Sequence, residues 1–352
     1  MTHSASPDDP RLSEISEGTV LRTILQRTPD AAAALIGPGD DAALISAASG
    51  AVVATTDTLV HGPDFRLSWS SGFDLGWKAA AVNLADVAAM GARPTALLVA
   101  LAVPGEIRLS FVAQLADGLR EACAALAPGC SVVGGDLTIS DTLMIAVTAL
   151  GDLEGRAAVT RGGAQAGDAV ALCGDMGVAA EGLRLLFERY GRAQHPGSLD
   201  DAEWTTDELR AVMAQLRPDP PIAAGPHAAR AGATAMMDVS DGLALDAHRL
   251  AEASHVTINF DSAALGPQPQ RALAGGEDHA LLATFAPDAV PDGFRVIGRV
   301  RERGEHGILC DGAPIDAAGW DPYRDAESAE STGSTGSTGS TESTGSTAST
   351  RG

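Results

Sequence analysis

Apolar positions along the chain switch repeatedly between short unbroken runs, as in buried strands, and spacings of three and four, as on one helix face. Ala51 to Thr55 is a short β-prone run that ends at Thr56-Asp57. Asp74 stands as an N-cap for a helix running to Met90, which stops at Gly91 with Pro94 beyond. In that helix Trp77, Ala81, Leu84 and Ala88 form one packed stripe, while Asn83 and Asp86 share another face. Thr95 to Val103 reads as a buried strand. Leu109 to Leu126 reads as an amphipathic helix with Phe111, Leu115 and Leu119 on one side. Val132-Val133 then leads into Gly134-Gly135-Asp136, and Leu143 to Leu150 supplies another strand.

A comparable alternation restarts at Ala169. It predicts a strand to Cys173, helices from Val178 to Tyr190 and Ile222 to Ala231, and a strand reaching Asp238. A helix from Leu243 to Ser254 follows, then strands at Val256 to Phe260, Ala280 to Phe285 and Arg295 to Val300. The expected fold class is mixed α/β, with two domains spanning 9–150 and 151–324. The polar stretch Gly191 to Asp207 reads as a surface loop. The Ser/Thr/Gly repeats within 325–352 have too little apolar surface to offset ordering entropy and are expected to be a disordered tail.

Composition narrows the chemistry. The 24 Lys+Arg against 46 Asp+Glu give a formal charge of −22, which argues against a general nucleic-acid binder. Lys78 is the only lysine, so a phosphate loop ending in Gly-Lys-[Ser/Thr] and the strand lysine of protein kinases are both excluded. Cys123, Cys130, Cys173 and Cys310 match no zinc spacing and read as buried thiols of a reducing cytoplasm. The N-terminus has no secretory pattern, and the longest apolar run, Ala96 to Val103, is far too short to span a membrane. A cytoplasmic protein with no membrane partner is expected.

The distinctive residues are acids in five or more separate segments. They are Asp40-Asp41 in PGDDAAL, Asp57 in TTDTL, Asp86 in NLADVAAMG, Asp136 in GGDLT, Asp238 and Asp241 in MDVSDGL, and Glu277-Asp278 in AGGEDHALL. A carboxylate in a helix as apolar as the one bearing Asp86 is costly unless paired or holding a cation. Asp136 and Glu277 each follow a Gly-Gly pair, which suits close approach to a ligand and equally suits a tight turn. Asp241-Gly242 opens a helix, where free N–H groups attract anions, and Ser240 also stands where an N-cap would. Oxygen ligands without a Cys or His cluster point to Mg²⁺, which favours carboxylates, waters and substrate phosphates. An acidic protein handling polyanions through divalent ions is suited to phosphoryl transfer.

The segments GPGDDAAL, TTDTLV, KAAAVNLADVAAMGARP, VVGGDLT, TRGGAQAGD, MDVSDGL and AGGEDHALL, in that order across roughly residues 10 to 323, closely resemble the motif series of the thiamine-monophosphate kinase family. That family shares a superfamily with aminoimidazole ribonucleotide synthetase and selenophosphate synthetase. The resemblance implies an ATP-dependent kinase acting on thiamine monophosphate, working as a homodimer whose N-terminal domains join their sheets, with ATP and several Mg²⁺ in a cleft between domains. It implies metal ligation by Asp41, Thr56, Asp57, Asp86, Asp136, Asp238 and Asp241, with Thr55 beside them. It implies nucleotide contacts by Gly135, Asp136, Arg161 and Ser240, and substrate contacts by Glu277 and Trp320. The family's substrate histidine, just before a phenylalanine in the loop after TDTLV, is here Asp64 before Phe65, with His61 three residues earlier. Either residue is a candidate for that contact. No nucleophile or base is expected, because an ionised phosphate acceptor needs none. The alternatives are another ATP-dependent synthetase of the superfamily and a non-catalytic nucleotide- or metal-binding regulator. Selenophosphate synthetase would need a reactive cysteine in an N-terminal loop, whereas the first cysteine is Cys123.

Overall fold

Two sheets organise the molecule, one from each half of the chain, as the alternation of elements implies. The computed structural model describes residues 9–37, 43–191 and 204–320, of which those through Gly319 form one compact unit. The first half contributes α1 (Glu17–Leu25), a small hairpin of β1 (Ala34–Ile36) and β2 (Leu44–Ile45), β3 (Val53–Val60), α2 (Gly72–Ala89), β4 (Arg93–Val103), α3 (Leu109–Leu126), β5 (Val132–Ile139) and β6 (Met144–Asp152). The larger strands form a four-stranded sheet in the order β3-β6-β4-β5. Only the β4–β5 pair is parallel.

Helix α2 is the spine of the site. Fifteen of its residues are buried, so its apolar character on nearly all sides is that of an interior helix, as its composition predicts. It packs against α3 closely enough that a Cβ on Gly76 would lie 2.0 Å from Leu115 O, and one on Gly118 would lie 2.1 Å from Phe73 O. Only glycine permits that approach. The N-cap is Ser71, not Asp74. Asp74 occupies the third helical position, where its carboxylate reaches back to Ser71 N (2.9 Å) while Ser71 Oγ accepts from Asp74 N (3.2 Å), a reciprocal capping box. Asp74 also accepts from Arg217 Nε at 2.5 Å.

The second half contributes β7 (Ala169–Cys173), α4 (Val178–Tyr190), α5 (Thr206–Leu216), α6 (Ala224–Arg230), β8 (Ala235–Val239), α7 (Leu243–Ser254), β9 (Val256–Phe260), α8 (Pro269–Ala274), β10 (Ala280–Phe285), β11 (Arg295–Glu302), β12 (Ile308–Cys310) and β13 (Ala313–Pro314). Its seven-stranded sheet runs β13-β12-β9-β11-β7-β10-β8, antiparallel except between β12 and β9. α7 packs on β8, β9 and β12 around a core that includes Leu243, Leu250, Ile258 and Phe260. The mixed α/β class expected from the pattern is what the structure has.

Three local expectations are corrected. Gly134-Gly135-Asp136 lies inside β5, not in a turn, so these glycines serve close strand approach: a Cβ on Gly135 would sit 1.9 Å from Val99 O. The polar stretch predicted to be a loop through Asp207 gives way to α5 at Thr206, because Thr205 and Glu208 form a second capping box. Gly242, at φ 125°, is the N-cap of α7, so Ser240 does not have that role. The expected tail at 325–352 lies outside the described residues. No described helix is long and apolar enough to cross a membrane.

Candidate active site

The acids gather where α2, β3, the end of β8 and the segment before β10 meet. Thr55 Oγ1 donates to Asp86 Oδ2 at 2.8 Å, tying β3 to α2. Beside it Asp57 N donates to Asn83 Oδ1 at 3.1 Å, and Asn83 in turn donates to Ala79 O at 2.9 Å within the helix. Asn83 and Asp86 thus use their shared helix face to seat the strand. Thr56 turns the other way, donating to Val147 O at 2.9 Å and accepting from Thr148 Oγ1 at 3.2 Å.

Electrostatics show that Asp57, Asp86 and Asp238 are neighbours. Desolvation, followed by the charges of Asp238 and Asp57, pushes the Asp86 carboxyl up to about 7. Asp57 is also raised, first by desolvation and then by Asp238 and Asp241, with its bond to Asp86 acting the other way. The positive group acting on both is His279, whose Nδ1 lies 3.3 Å from Asp238 Oδ2. His279 is buried, has φ 52°, and its Nε2 has no hydrogen-bond partner. Such a concentration of like charge favours a bound cation. Among the described residues, however, no three of these side chains are already spaced to hold a metal ion.

Asp241 is differently placed. Arg249 Nη1 donates to its Oδ2 at 2.5 Å and to the fully buried Asp246 at 2.7 Å, while Asp246 accepts from Asp241 N at 3.0 Å. Burial still raises Asp246 to about 6 despite these bonds. Arg249 and Asp246 carried no sequence signal beyond their helical spacing.

Two substrate candidates also converge. Asp64 accepts from Val60 N at 2.7 Å, closing its loop, and is raised by desolvation and by the charge of Glu277 while Lys78 opposes. His61 stacks near Phe65 with ring centroids 5.6 Å apart and is held below its ordinary value by burial and Arg66. Asp64, not His61, therefore shares space with Glu277. Glu277 pairs with the buried Lys78. Burial acts to raise its carboxyl, but Lys78 and His279 hold it below the ordinary range. Sequence reasoning treated Lys78 only as the reason to exclude two motifs, and it missed His279 although that residue lies in the AGGEDHALL segment.

Gly135, Asp136 and Arg161 are not brought to this cluster within one chain, whereas Ser240 adjoins it. Gly135 and Asp136 lie on β5, the edge of the sheet opposite β3. The register aligns Asp57 with Val147, Val99 and Gly135 in one row across the sheet, so Asp57 and Gly135 are about 14 Å apart at three strand spacings. Arg161 is exposed. Its carbonyl accepts from Ser254 Oγ at 2.6 Å at the far end of α7 from Ser240 and Asp241, about 18 Å along that helix. Ser240 O accepts from Glu277 N at 2.7 Å. Trp320 is 46% exposed and belongs to a second unit, and Asp41 lies outside the described residues.

These features define an aminoimidazole ribonucleotide synthetase-like protein. The AIR synthase related protein, N-terminal domain family matches residues 39–153. The chain is 40% identical over 343 residues to the thiamine-monophosphate kinase of Mycobacterium tuberculosis, covering 93% of this chain and 97% of that protein. Among solved structures, the thiamine-monophosphate kinase of Stenotrophomonas maltophilia aligns at TM-score 0.70 and 33% identity, covering 87% of this chain and 99% of that one. A structure described as AaThiL complexed with AMPPCP and TMP aligns at TM-score 0.69 and 32% identity, covering 88% and 98%. The chain belongs to the thiamine-monophosphate kinase family.

Proposed function

We propose that the protein transfers the γ-phosphoryl group of ATP to thiamine monophosphate, giving thiamine diphosphate and ADP. The observation that carries this reading is the pair of raised carboxyls Asp57 and Asp86 crowded by Asp238, a cluster with no Arg or Lys ion pair among the described residues, which His279 joins to Glu277. Mg²⁺ suits that donor set, which is all oxygen apart from His279. Asp57, Asp86 and Asp238, with Thr55, would hold it, joined by Asp41, Asp136 and Asp241; Thr56, assigned to it with them, joins only through its main chain, because its side chain faces the other side of the sheet. Bound there, the ion supplies neutralisation of charge on the transferring phosphoryl group. Asp241 joins only by giving up Arg249.

The protein's own residues bind and orient. Gly135, Asp136, Arg161 and Ser240 are assigned to ATP, and Glu277, Asp64, His61 and Trp320 to thiamine monophosphate. A carboxylate held ionised, as Glu277 is, suits a cationic, amino-bearing ring system. The terminal phosphate of the acceptor is already largely ionised near neutral pH, so transfer runs directly and in line, with no protein nucleophile. No phosphate label should remain on the protein after a single turnover.

The opposite-edge placement of Asp57 and Asp136 supports a homodimer. Two copies joining their four-stranded sheets at both edges, into one closed barrel, would set β5 of each beside β3 of the other and bring Asp57 of one copy towards Gly135-Asp136 of the other. The four free cysteines fit a reducing cytoplasm. The deciding experiment is coupled ADP release with and without thiamine monophosphate, with Mg²⁺ and with chelator. Release that needs both acceptor and Mg²⁺ is expected. Equal release without acceptor would point to a plain ATPase or another synthetase of the superfamily, and binding of ATP without turnover would point to a regulator.

A further inference from the structure

Enzymes that handle phosphate commonly place a lysine on it as a point charge. The surroundings of the chain's only lysine exclude that use. Lys78 is 4% exposed within α2, and its ammonium has three N–H donors. One goes to Gln215 O at 3.3 Å and another to Glu277 Oε2 in the ion pair. The third goes to the Gln215 side-chain oxygen at 3.1 Å in the amide orientation that also lets its nitrogen donate to Ala179 O at 3.2 Å. With all three protons taken by protein acceptors, none is left for a nucleotide.

Glu277 is built to be held. Its N–H donates to Ser240 O at 2.7 Å, and its φ is 72°. A Cβ on the preceding Gly276 would lie 2.5 Å from Ser240 O, so only glycine fits there. The backbone is therefore pinned from one side while Lys78 takes Oε2 from the other. The side chain nevertheless remains 40% exposed, and the Lys78 contact leaves Oε1 out. Asp64 adds a second negative charge within reach of both Glu277 and Lys78.

We propose that Lys78 is a positioning residue that fixes Glu277 as a charged acceptor with one oxygen presented outward, and so sets selectivity for the cationic thiamine end of the acceptor and not for the nucleotide. This rests on the reading of Glu277 as a substrate contact. Lys78 itself touches neither substrate.

The test measures KM for thiamine monophosphate, KM for ATP and kcat in full-length Lys78→Met, Lys78→Arg, Glu277→Gln and the Lys78→Met/Glu277→Gln double variant, at fixed Mg²⁺. Lys78→Met and Glu277→Gln should each raise KM for thiamine monophosphate by about tenfold or more, with KM for ATP changed by less than about twofold. The double variant should be no worse than Glu277→Gln alone, because Lys78 acts through Glu277. Lys78→Arg, which keeps the charge, should recover part of the loss. Equal rises in the two KM values, or additive losses in the double variant, would overturn the proposal. If Lys78→Met alone fails to fold, with Glu277 left without its counter-ion, the neutral double variant still decides when compared with Glu277→Gln. Equality supports the proposal and a further loss of about tenfold defeats it. Wild-type protein showing no acceptor-dependent ADP release would overturn the functional reading itself. Normal wild-type turnover with the wrong variant pattern removes only the role of Lys78.

Discussion

Thr55 Oγ1 donates to Asp86 Oδ2 across 2.8 Å, so the edge strand β3 is fastened to the buried helix α2 through a carboxylate that forms no ion pair among the described residues. Asp57 and Asp238 crowd the same group. Without divalent ions this arrangement is a source of instability.

Replacing Asp86 with Asn keeps its shape while removing its share of the repulsion. In chelator the Asp86→Asn protein should unfold at a higher temperature than wild type, by about 1 to 3 kcal/mol of added stability. Added Mg²⁺ should stabilise it less than wild type, and turnover should fall by about 100-fold or more. Thermal unfolding with and without Mg²⁺ checks the first two effects, and a lower melting temperature in chelator would count against the cluster.

The row that aligns Asp57 with Gly135 at opposite edges of one sheet makes a second expectation. Asp57→Asn and Asp136→Asn should each be inactive as pure proteins. If a site takes Asp57 from one copy and Asp136 from the other, refolding the two variants together gives mixed dimers with one intact site. Activity should return to about a quarter of wild type, since half the dimers carry one good site of two. No recovery on mixing would place the two acids in the same chain's site or remove Asp136 from it.

How much of this was legible beforehand depends on range. The helix carrying Asp86 was visible because its apolar residues run around most of its circumference, which only a buried helix sustains. The acids were visible because each breaks an apolar or Gly-rich context. Pairings between distant segments were not visible. Nothing local in the sequence says that Lys78 takes Glu277, or that Asp136 sits three strands from Asp57, because these neighbours are fixed by long-range pairing. Asp74 misled for a physical reason: a capping box places an acid at the third helical position as readily as at the cap, and Ser71 holds the cap. α5 was missed because its capping signal, Thr205 with Glu208, lies at the end of a long polar run.

Arg249 offers a test of stability separate from turnover. It is the counter-ion of Asp246, which has no solvent exposure. Arg249→Met should destabilise the protein by about 2 to 4 kcal/mol in urea unfolding, because a buried carboxylate is left with only the Asp241 N–H. Adding Asp246→Asn should restore most of the loss. A double variant as unstable as the single would mean that packing by the arginine stem, not its charge, is what counts.

The depressed carboxyl of Glu277 sets the pH range over which the acceptor is held. Burial acts to raise it, but Lys78 and His279 lower it further, so the folded protein binds that proton more weakly than the unfolded chain does. For a depressed acid the stabilising contribution is complete above the unfolded value, about 4.3 for a glutamate, and is lost as pH falls through the lower folded value. KM for thiamine monophosphate in the wild type should therefore stay flat from neutrality down through pH 5. In Lys78→Met the lowering contributions of the lysine are gone while burial remains, so the acid-side rise in KM should begin at a higher pH than in wild type. KM for the acceptor at saturating ATP and Mg²⁺ is the quantity to follow, because kcat also reports the aspartates around Asp86. Profiles for the two proteins that superimpose down through the acid-side rise would show that Lys78 does not govern the charge of Glu277.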